Sequence, residues 1–472
     1  MLAWSFVVKH HKISAPVVFI SCYRSPLGTR PATRRGKRRL GSELNMSELM
    51  ASKCKELRQS FPSLSRIHEA SGERVVYLDG PAGSQVPSQV IQAISDYYLY
   101  HNANSAGNFP TSRETNLILQ EALEAACDWF GGKDTSECFF GANMTTITLS
   151  FSRALSRTWN RGDRILVTQL DHDGNVTPWR LAAKDAGVEC ETIRVKVPEA
   201  TLDEDDFRRK LQGGVKLVAF TAASNSVGTA NEVSRLAALA HEYGAEVYVD
   251  AVHWAPHRLI DVIKWNVDYC VCSAYKFFGP HVGLFWGRKN RLEELTPYKL
   301  RASPSVGPGK WMTGTQNFAA ISGVKAAIDY IASIVSSSPQ ASSAMPRREK
   351  LRLAFEWIES YEQGLLKQLM SGLKSISGIT VFGITDESRF DQRVPTVVFD
   401  VAGFTSSEVT TRLGELGIYC WHGHYYAIDI CDALGQSERG MVRVGILHTN
   451  TAEEIERLLI ALRHIAQSAK TK

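Results

Sequence analysis

Between about residues 75 and 290, short apolar runs alternate with longer segments whose apolar residues recur at helical spacing, and this alternation restricts the fold more than any other feature. RILVTQL at Arg164–Leu170, LVAFT at Leu217–Thr221, EVYVD at Glu246–Asp250 and YCVC at Tyr269–Cys272 predict strands. Asn116–Phe130, Thr145–Arg157 and Ser234–Tyr243 predict helices. Such alternation argues for an α/β domain around a mainly parallel sheet buried on both faces. After residue 318 the texture changes to long helices at Ala319–Val335 and Lys350–Ile376, strands at Pro395–Val401 and Val442–Leu447, and a closing helix at Ala452–Ala466. The expected division is a large domain over 75–318 and a small α+β domain over 319–472, on which the segment 46–74 packs. Ser336–Arg348, rich in Ser and Pro, predicts a turn or loop.

The chain has 472 residues, 44% hydrophobic and 22% charged, which is globular composition with enough length for a large core. No run of about 18 uncharged apolar residues predicts a membrane span. The formal charge of +5 misleads, because residues 1–45 carry nine Lys/Arg against the single acid Glu43 and leave the remainder at about −3. The body therefore lacks the basic footprint of a nucleic-acid binder. The basic, acid-poor segment 1–45 fits an organellar transit peptide or an over-extended gene start, with Met46 as the alternative start, and is expected to lie outside the fold. Nine scattered cysteines lack the spacing of a zinc site or a disulfide framework, so no metal is expected and a reducing, cytoplasmic setting is the default.

The stretch Tyr248–Gly287 carries the most chemistry. Asp250 ends one apolar run, and Lys276 follows the next by four residues. In an open α/β sheet ligands bind outside the carboxyl ends of the strands, so both side chains are expected on one crevice. An amine there can form a Schiff base with an aldehyde cofactor, and a carboxylate beside a pyridine nitrogen keeps that ring protonated as an electron sink. That combination is pyridoxal-phosphate (PLP) chemistry. Residue types alone leave open that Asp250 caps a helix and Lys276 is a surface loop lysine.

DAVHWAPH (250–257) followed by SAYKFFGPHVG (273–283) resembles the cofactor region of the class V aminotransferase and cysteine desulfurase family, where the segments run D-x-x-Q or D-x-x-H and S-x-H-K-x-x-G-P. The similarity extends from YLDGPAGSQVP near residue 77 to MVRVGILHTNTAEEIERLL near 441. It implies a fold type I architecture, with a seven-stranded-type sheet in the large domain, a PLP cofactor, an amino-acid substrate and a homodimer. It further implies that Lys276 is the Schiff-base lysine and proton shuttle, that Asp250 sits on the pyridine nitrogen, and that His253 donates to the phenolic oxygen.

Other segments resemble the same family. FFGANMTTITL (139–149) stands in the place of its phosphate-holding turn, which implies contacts from Ala142, Asn143 and Met144 at a helix N-terminus. Ser273 would add a hydroxyl to the phosphate, and Tyr275 stands where desulfurases commonly have His. In QLDHDGNVTPW (169–179), His172 would lie on the pyridoxal face and move protons, while Asn175 is structural. ASNSVGT (223–229) puts Asn225 near the cofactor's phenolic side and the substrate, and Arg443 in MVRVG matches the arginine that pairs with the substrate carboxylate. WMTGTQNF (311–318) resembles a segment near the subunit boundary, where Thr315 would reach a partner's phosphate.

Two departures break the pattern. The resembling group carries its sulfur-relay cysteine in R-x-G-H-H-C-A, whereas this chain reads WHGHYYA at 421–427, with Trp421 at the arginine position and Tyr426 at the cysteine. A phenol cannot carry a persulfide, which leaves Cys420 and Cys431 as the nearest thiols. NSAGNFPTS (104–112) stands where the nearest desulfurases carry H-R-G. The sequence thus predicts a PLP enzyme acting on an α-amino acid. A true desulfurase working through Cys420, Cys431 or an external thiol is the second reading, and a non-catalytic scaffold the third.

Overall fold

The computed structural model describes residues 37–335 and 344–468. Most of the basic segment 1–45, and residues 336–343 of the expected loop, lie outside the described residues. Compactness divides the chain into Met1–Leu49 and Met50–Lys472. Of the first unit, the described part is the leading portion of the helix Lys37–Arg58. The second holds the sheets of the protein.

Its larger sheet has seven strands: β1 (Cys138–Gly141), β2 (Arg164–Thr168), β3 (Glu189–Ile193), β4 (Val215–Thr221), β5 (Glu246–Asp250), β6 (Tyr269–Ser273) and β7 (Gly283–Gly287). Their spatial order is β1-β7-β6-β5-β4-β2-β3. Only β7 runs against its neighbours, pairing antiparallel with both β1 and β6. The chain between β6 and β7 is too short for the long crossover that parallel neighbours require, so it turns back and forms an antiparallel pair. The parallel register sets Thr221 beside Asp250 and Asp250 beside Val271, so the carboxyl ends of β4, β5 and β6 finish together.

The four predicted strands and the three predicted helices of this region are present, with boundaries moved by at most two residues, apart from one helix that begins earlier, at Pro110. The sequence reading missed β1, β3 and β7. β1 and β7 are short, glycine-ended runs, CFFG and GLFWG, and β3, ECETI, is largely polar because it lies at the sheet edge.

A second sheet of four antiparallel strands follows: β8 (Ile379–Phe382), β9 (Thr396–Val401), β10 (Trp421–Gly423) and β11 (Met441–Gly445), in the order β8-β9-β11-β10. Helices Arg347–Ser375 and Ala452–Ser468 bury Leu366, Leu369, Leu458 and Leu462 against it. Val76 and Leu78 pack into this smaller core, where Val76–Tyr77 pairs in parallel with Ile418–Tyr419. The segment that opens the large region of the sequence is therefore held at the small sheet. Among the described residues no helix is long and apolar enough to cross a membrane.

Two backbone features fix the junction between the sheets. Gly445, the last residue of β11, lies so close to Pro81 that a Cβ there would sit 2.0 Å from the proline ring. Gly228, at φ +78°, turns the loop after β4 under β9, where a Cβ would meet the Thr396 carbonyl at 2.3 Å.

Candidate functional site

At the carboxyl ends of β4, β5 and β6, faced by β10 and β11, lies a cavity of about 890 Å³. Its wall brings together Asn143, Met144, His172, Asn225, Asp250, His253, Ser273, Tyr275, Lys276 and Arg443, residues scattered over 300 positions of sequence. Ala142 is not among them. The chain turns at Asn143 to start the helix Met144–Leu155, and this leaves Ala142 on an adjoining cavity of about 460 Å³, where Thr315 also lies.

Lys276 ends a tight helical turn, Ala274–Lys276, directly after β6. Its ammonium donates to the carbonyl of Ala82 at 3.0 Å and, more closely, to that of Pro81. Burial, and then the Arg443 guanidinium, push its pKa down to about 7, with Asp79 and Asp250 opposing. A large fraction of Lys276 is thus the free amine at neutral pH. The following Phe277 stacks on Trp129 at 4.2 Å and 24°, which pins the lysine turn to the helix Pro110–Phe130.

Asp250 ends β5 with 4% of its surface exposed and accepts the Val252 amide at 2.8 Å. Burial raises its pKa to about 6, against that hydrogen bond and Lys276. His253, two residues beyond Ala251, is buried and shares a hydrogen bond with Thr396 Oγ1 at 2.9 Å. Burial holds it well below the usual imidazole range, so it is neutral.

His172 Nδ1 accepts the Gly174 amide at 2.9 Å, which leaves Nε2 to carry the proton of the neutral ring. Burial, with Lys276 assisting, lowers its pKa to about 4. Beneath it Asn175 donates to Asp171 at 2.7 Å and accepts from the Trp179 indole at 3.0 Å, a buried structural network.

Asn143 caps the helix Met144–Leu155 by accepting the Thr146 amide at 2.9 Å, and the Ser273 hydroxyl accepts the Met144 amide at 2.9 Å. A helix N-terminus, a hydroxyl and a lysine therefore converge on one cavity wall, a donor set suited to a phosphate. Tyr275 is stacked with His281 at 4.9 Å and 12°.

Arg443 comes from the small sheet, opposite Val398 and Trp421. Its Nη1 donates to the Asn225 carbonyl at 3.0 Å, its Nη2 faces Asp79 at 3.3 Å, and the guanidinium lies 4.2 Å over the Tyr425 ring. Its buried Nε and the buried Oδ1 of Asn225 have no hydrogen-bond partner. The Nε donor fits a carboxylate at the guanidinium, while the Asn225 oxygen, an acceptor, calls for a donor such as an amine or hydroxyl.

Sequence reading did not assign Asp79, the carbonyls of Pro81 and Ala82, His281, or His422, His424 and Tyr425 to the site. YLDGPAG was visible only as part of a resemblance, and a carbonyl acceptor has no residue-type signature. Trp421 and Tyr426 marked departures from a pattern, and both line the cavity. Cys420 and Cys431 do not. Burial pushes the Cys420 thiol up to about 12 and that of Cys431 to about 11.

Known proteins resemble this chain over nearly their whole length. The chain is 30% identical to the aminotransferase-like protein FGM3 of Gibberella zeae, with 87% of this chain and 97% of that one covered. It is 27% identical to a cysteine desulfurase of an Enterobacter species, with 88% and 99% covered. The apo structure of a cysteine desulfurase from Thermococcus onnurineus superposes with a TM-score of 0.77 at 25% identity, covering 88% of this chain and 98% of that one. Residues 76–349 and 349–458 match the family described as aminotransferase class-V, and with a half-buried lysine, a strand-end aspartate and an arginine on one cavity, the chain belongs to the class-V aminotransferases.

Proposed function

We propose that the cavity binds PLP at Lys276 and an α-amino acid at Arg443, with Asp250, His253, Ser273, Asn143 and Met144 holding the cofactor and His172 serving as a proton carrier. Membership of the class-V aminotransferases makes the protein a PLP-dependent enzyme of cysteine desulfurase-like kind. Bound there, PLP supplies an electron sink that stabilises negative charge at the substrate's α-carbon. The carrying observation is geometric: the half-buried amine of Lys276, the strand-end carboxylate of Asp250 and the guanidinium of Arg443 line one cavity, and burial lowers the amine's pKa to about 7.

The chain's own groups have separate tasks. Lys276 Nζ is nucleophilic without a base, because about half of it is unprotonated near pH 7. Asp250, at the buried strand end, supplies the carboxylate for a pyridinium. Arg443, with Nε unpartnered, orients a carboxylate, and Asn225 fixes that arginine through its carbonyl. His172 offers a neutral Nε2 for proton transfer.

Sulfur relay through the chain is not favoured. Cys420 and Cys431 are off the cavity wall and held as thiols, and a thiolate is the form that attacks sulfur. The homodimer expected from the family resemblance is supported by the exposed run Tyr98, Leu99 and Tyr100, and a reducing, cytoplasmic setting by the free state of the eight described cysteines.

The test is an absorbance spectrum of the purified protein with and without added PLP, followed by addition of alanine, aspartate and cysteine. A visible cofactor band that shifts with an amino acid is expected. Absence of any band after PLP is supplied refutes the reading and favours a scaffold.

A further inference from the structure

Where a desulfurase-like protein keeps a thiol over its substrate, this chain places rings. Tyr426 and Trp421 stand at the cavity mouth, 66% and 53% exposed, the most open Tyr and Trp side chains on its wall. Their placement is not loose. The Tyr426 carbonyl accepts the Asp173 amide at 2.7 Å, and its amide donates to His424 Nδ1 at 3.1 Å. Tyr425 and Tyr426 both adopt positive φ, 55° and 57°, a conformation costly for two consecutive bulky residues unless the surroundings enforce it. The enforcement comes from Asn225, which donates to the Tyr425 carbonyl at 2.9 Å.

The result is a set of flat faces beside the proton carrier. The Tyr426 ring lies 5.5 Å from that of His172, tilted by 30°, and 6.1 Å from His424 at 86°. Tyr275 and His281 form a second, stacked pair on the same wall. The charges are as selective as the shapes. Asp250 is the only carboxylate among the described residues lining the cavity, and it is buried at a strand end, so a cationic side chain finds no partner at the mouth.

We infer that Tyr426 and Trp421, with His424, form a specificity box that selects an amino acid with a planar aromatic or heteroaromatic side chain. This rests on the reading of the cavity as an amino-acid site. Each aromatic face in contact is expected to favour a flat side chain by about two- to ten-fold over an aliphatic one.

Two experiments separate the box from the amino-acid reading. In the first, the PLP-loaded protein is titrated with phenylalanine, tryptophan, alanine and lysine, and the shift of the cofactor band gives an affinity for each. Aromatic amino acids are expected to bind at least ten-fold more tightly than alanine or lysine, and in Trp421→Ala and Tyr426→Ala the ratio of phenylalanine to alanine affinity should fall several-fold. In the second, indole-3-propionate and propionate, which have no amine to react, are titrated calorimetrically into the same protein. Tighter binding of the indole acid, lost in Tyr426→Ala, supports the box even if no amino acid moves the cofactor band. Equal affinities for the two acids overturn it. So does a Tyr426→Ala variant that keeps its selectivity but sediments as a smaller species, since the rings would then serve contact between copies of the chain.

Discussion

Asp79 Oδ1 faces Arg443 Nη2 at 3.3 Å, so the guanidinium on the cavity wall is already paired with a carboxylate of the chain itself. Arg443 is buried, while Asp79 retains about a quarter of its exposure. Burial raises the Asp79 pKa and the arginine opposes that rise, which places the pair among groups that need each other to stay charged.

Asp79→Asn should therefore leave Arg443 charged and undercompensated, at a cost of about 3–5 kcal/mol in the ligand-free protein. A small carboxylate should restore part of that loss by occupying the vacated side of the guanidinium. Thermal melting with and without propionate measures this. A variant whose melting temperature ignores propionate would place the carboxylate site elsewhere.

Lys276→Ala should abolish the absorbance of lysine-linked PLP, and in the wild-type apoprotein capture of PLP should follow ionisation of this amine. With its pKa lowered to about 7, the reactive unprotonated form dominates above pH 7 and is lost as pH falls below it. The capture rate, followed in a stopped-flow spectrophotometer, is expected to rise about ten-fold from pH 6 to pH 8 and then level off. A rate still climbing steeply at pH 10 would mean an ordinary surface lysine.

Trp129→Ala removes the ring on which Phe277 stacks and opens a cavity behind the lysine turn. Large-to-small changes of this kind cost about 3–5 kcal/mol. Chemical denaturation should show that loss, and PLP should dissociate faster than from the wild type, because the turn bearing Lys276 is no longer pinned. A stability loss with unchanged cofactor retention would separate the stack from the site.

Cys420→Ser and Cys431→Ser, singly and together, should leave amino-acid turnover within about two-fold of wild type, since neither thiol lines the cavity or ionises near neutrality. Loss of sulfide release specifically in one variant, assayed with cysteine, would reinstate sulfur relay.

Part of this site was legible because Asp250 and Ser273 end strands and Lys276 follows three residues beyond the second. Asp250 and Lys276 could be placed on one crevice from two apolar runs alone, and the register of β4, β5 and β6 bears that out. Arg443 arrives from a different sheet, and no periodicity predicts that β11 would face the end of β5; the resemblance did that work. Ala142 lies on the adjoining cavity because the chain turns at Asn143, the cap of the helix, and a matching motif does not say which residue such a turn carries to which side. Asp79, Pro81 and Ala82 were missed for another reason. They act through an ion pair and two backbone carbonyls formed across hundreds of residues, and such partnerships exist only once the chain is folded.

The close approach of Gly445 to Pro81 couples two parts of the cavity wall. Pro81 supplies a carbonyl to Lys276, and Gly445 lies two residues from Arg443 on the same strand. A substitution at Gly445 would push on both the amine's acceptors and the carboxylate clamp at once, with no backbone slack between them. The positions of the Lys276 amine and the Arg443 guanidinium are thereby tied to one point of contact, where a single absent Cβ lets two backbones meet.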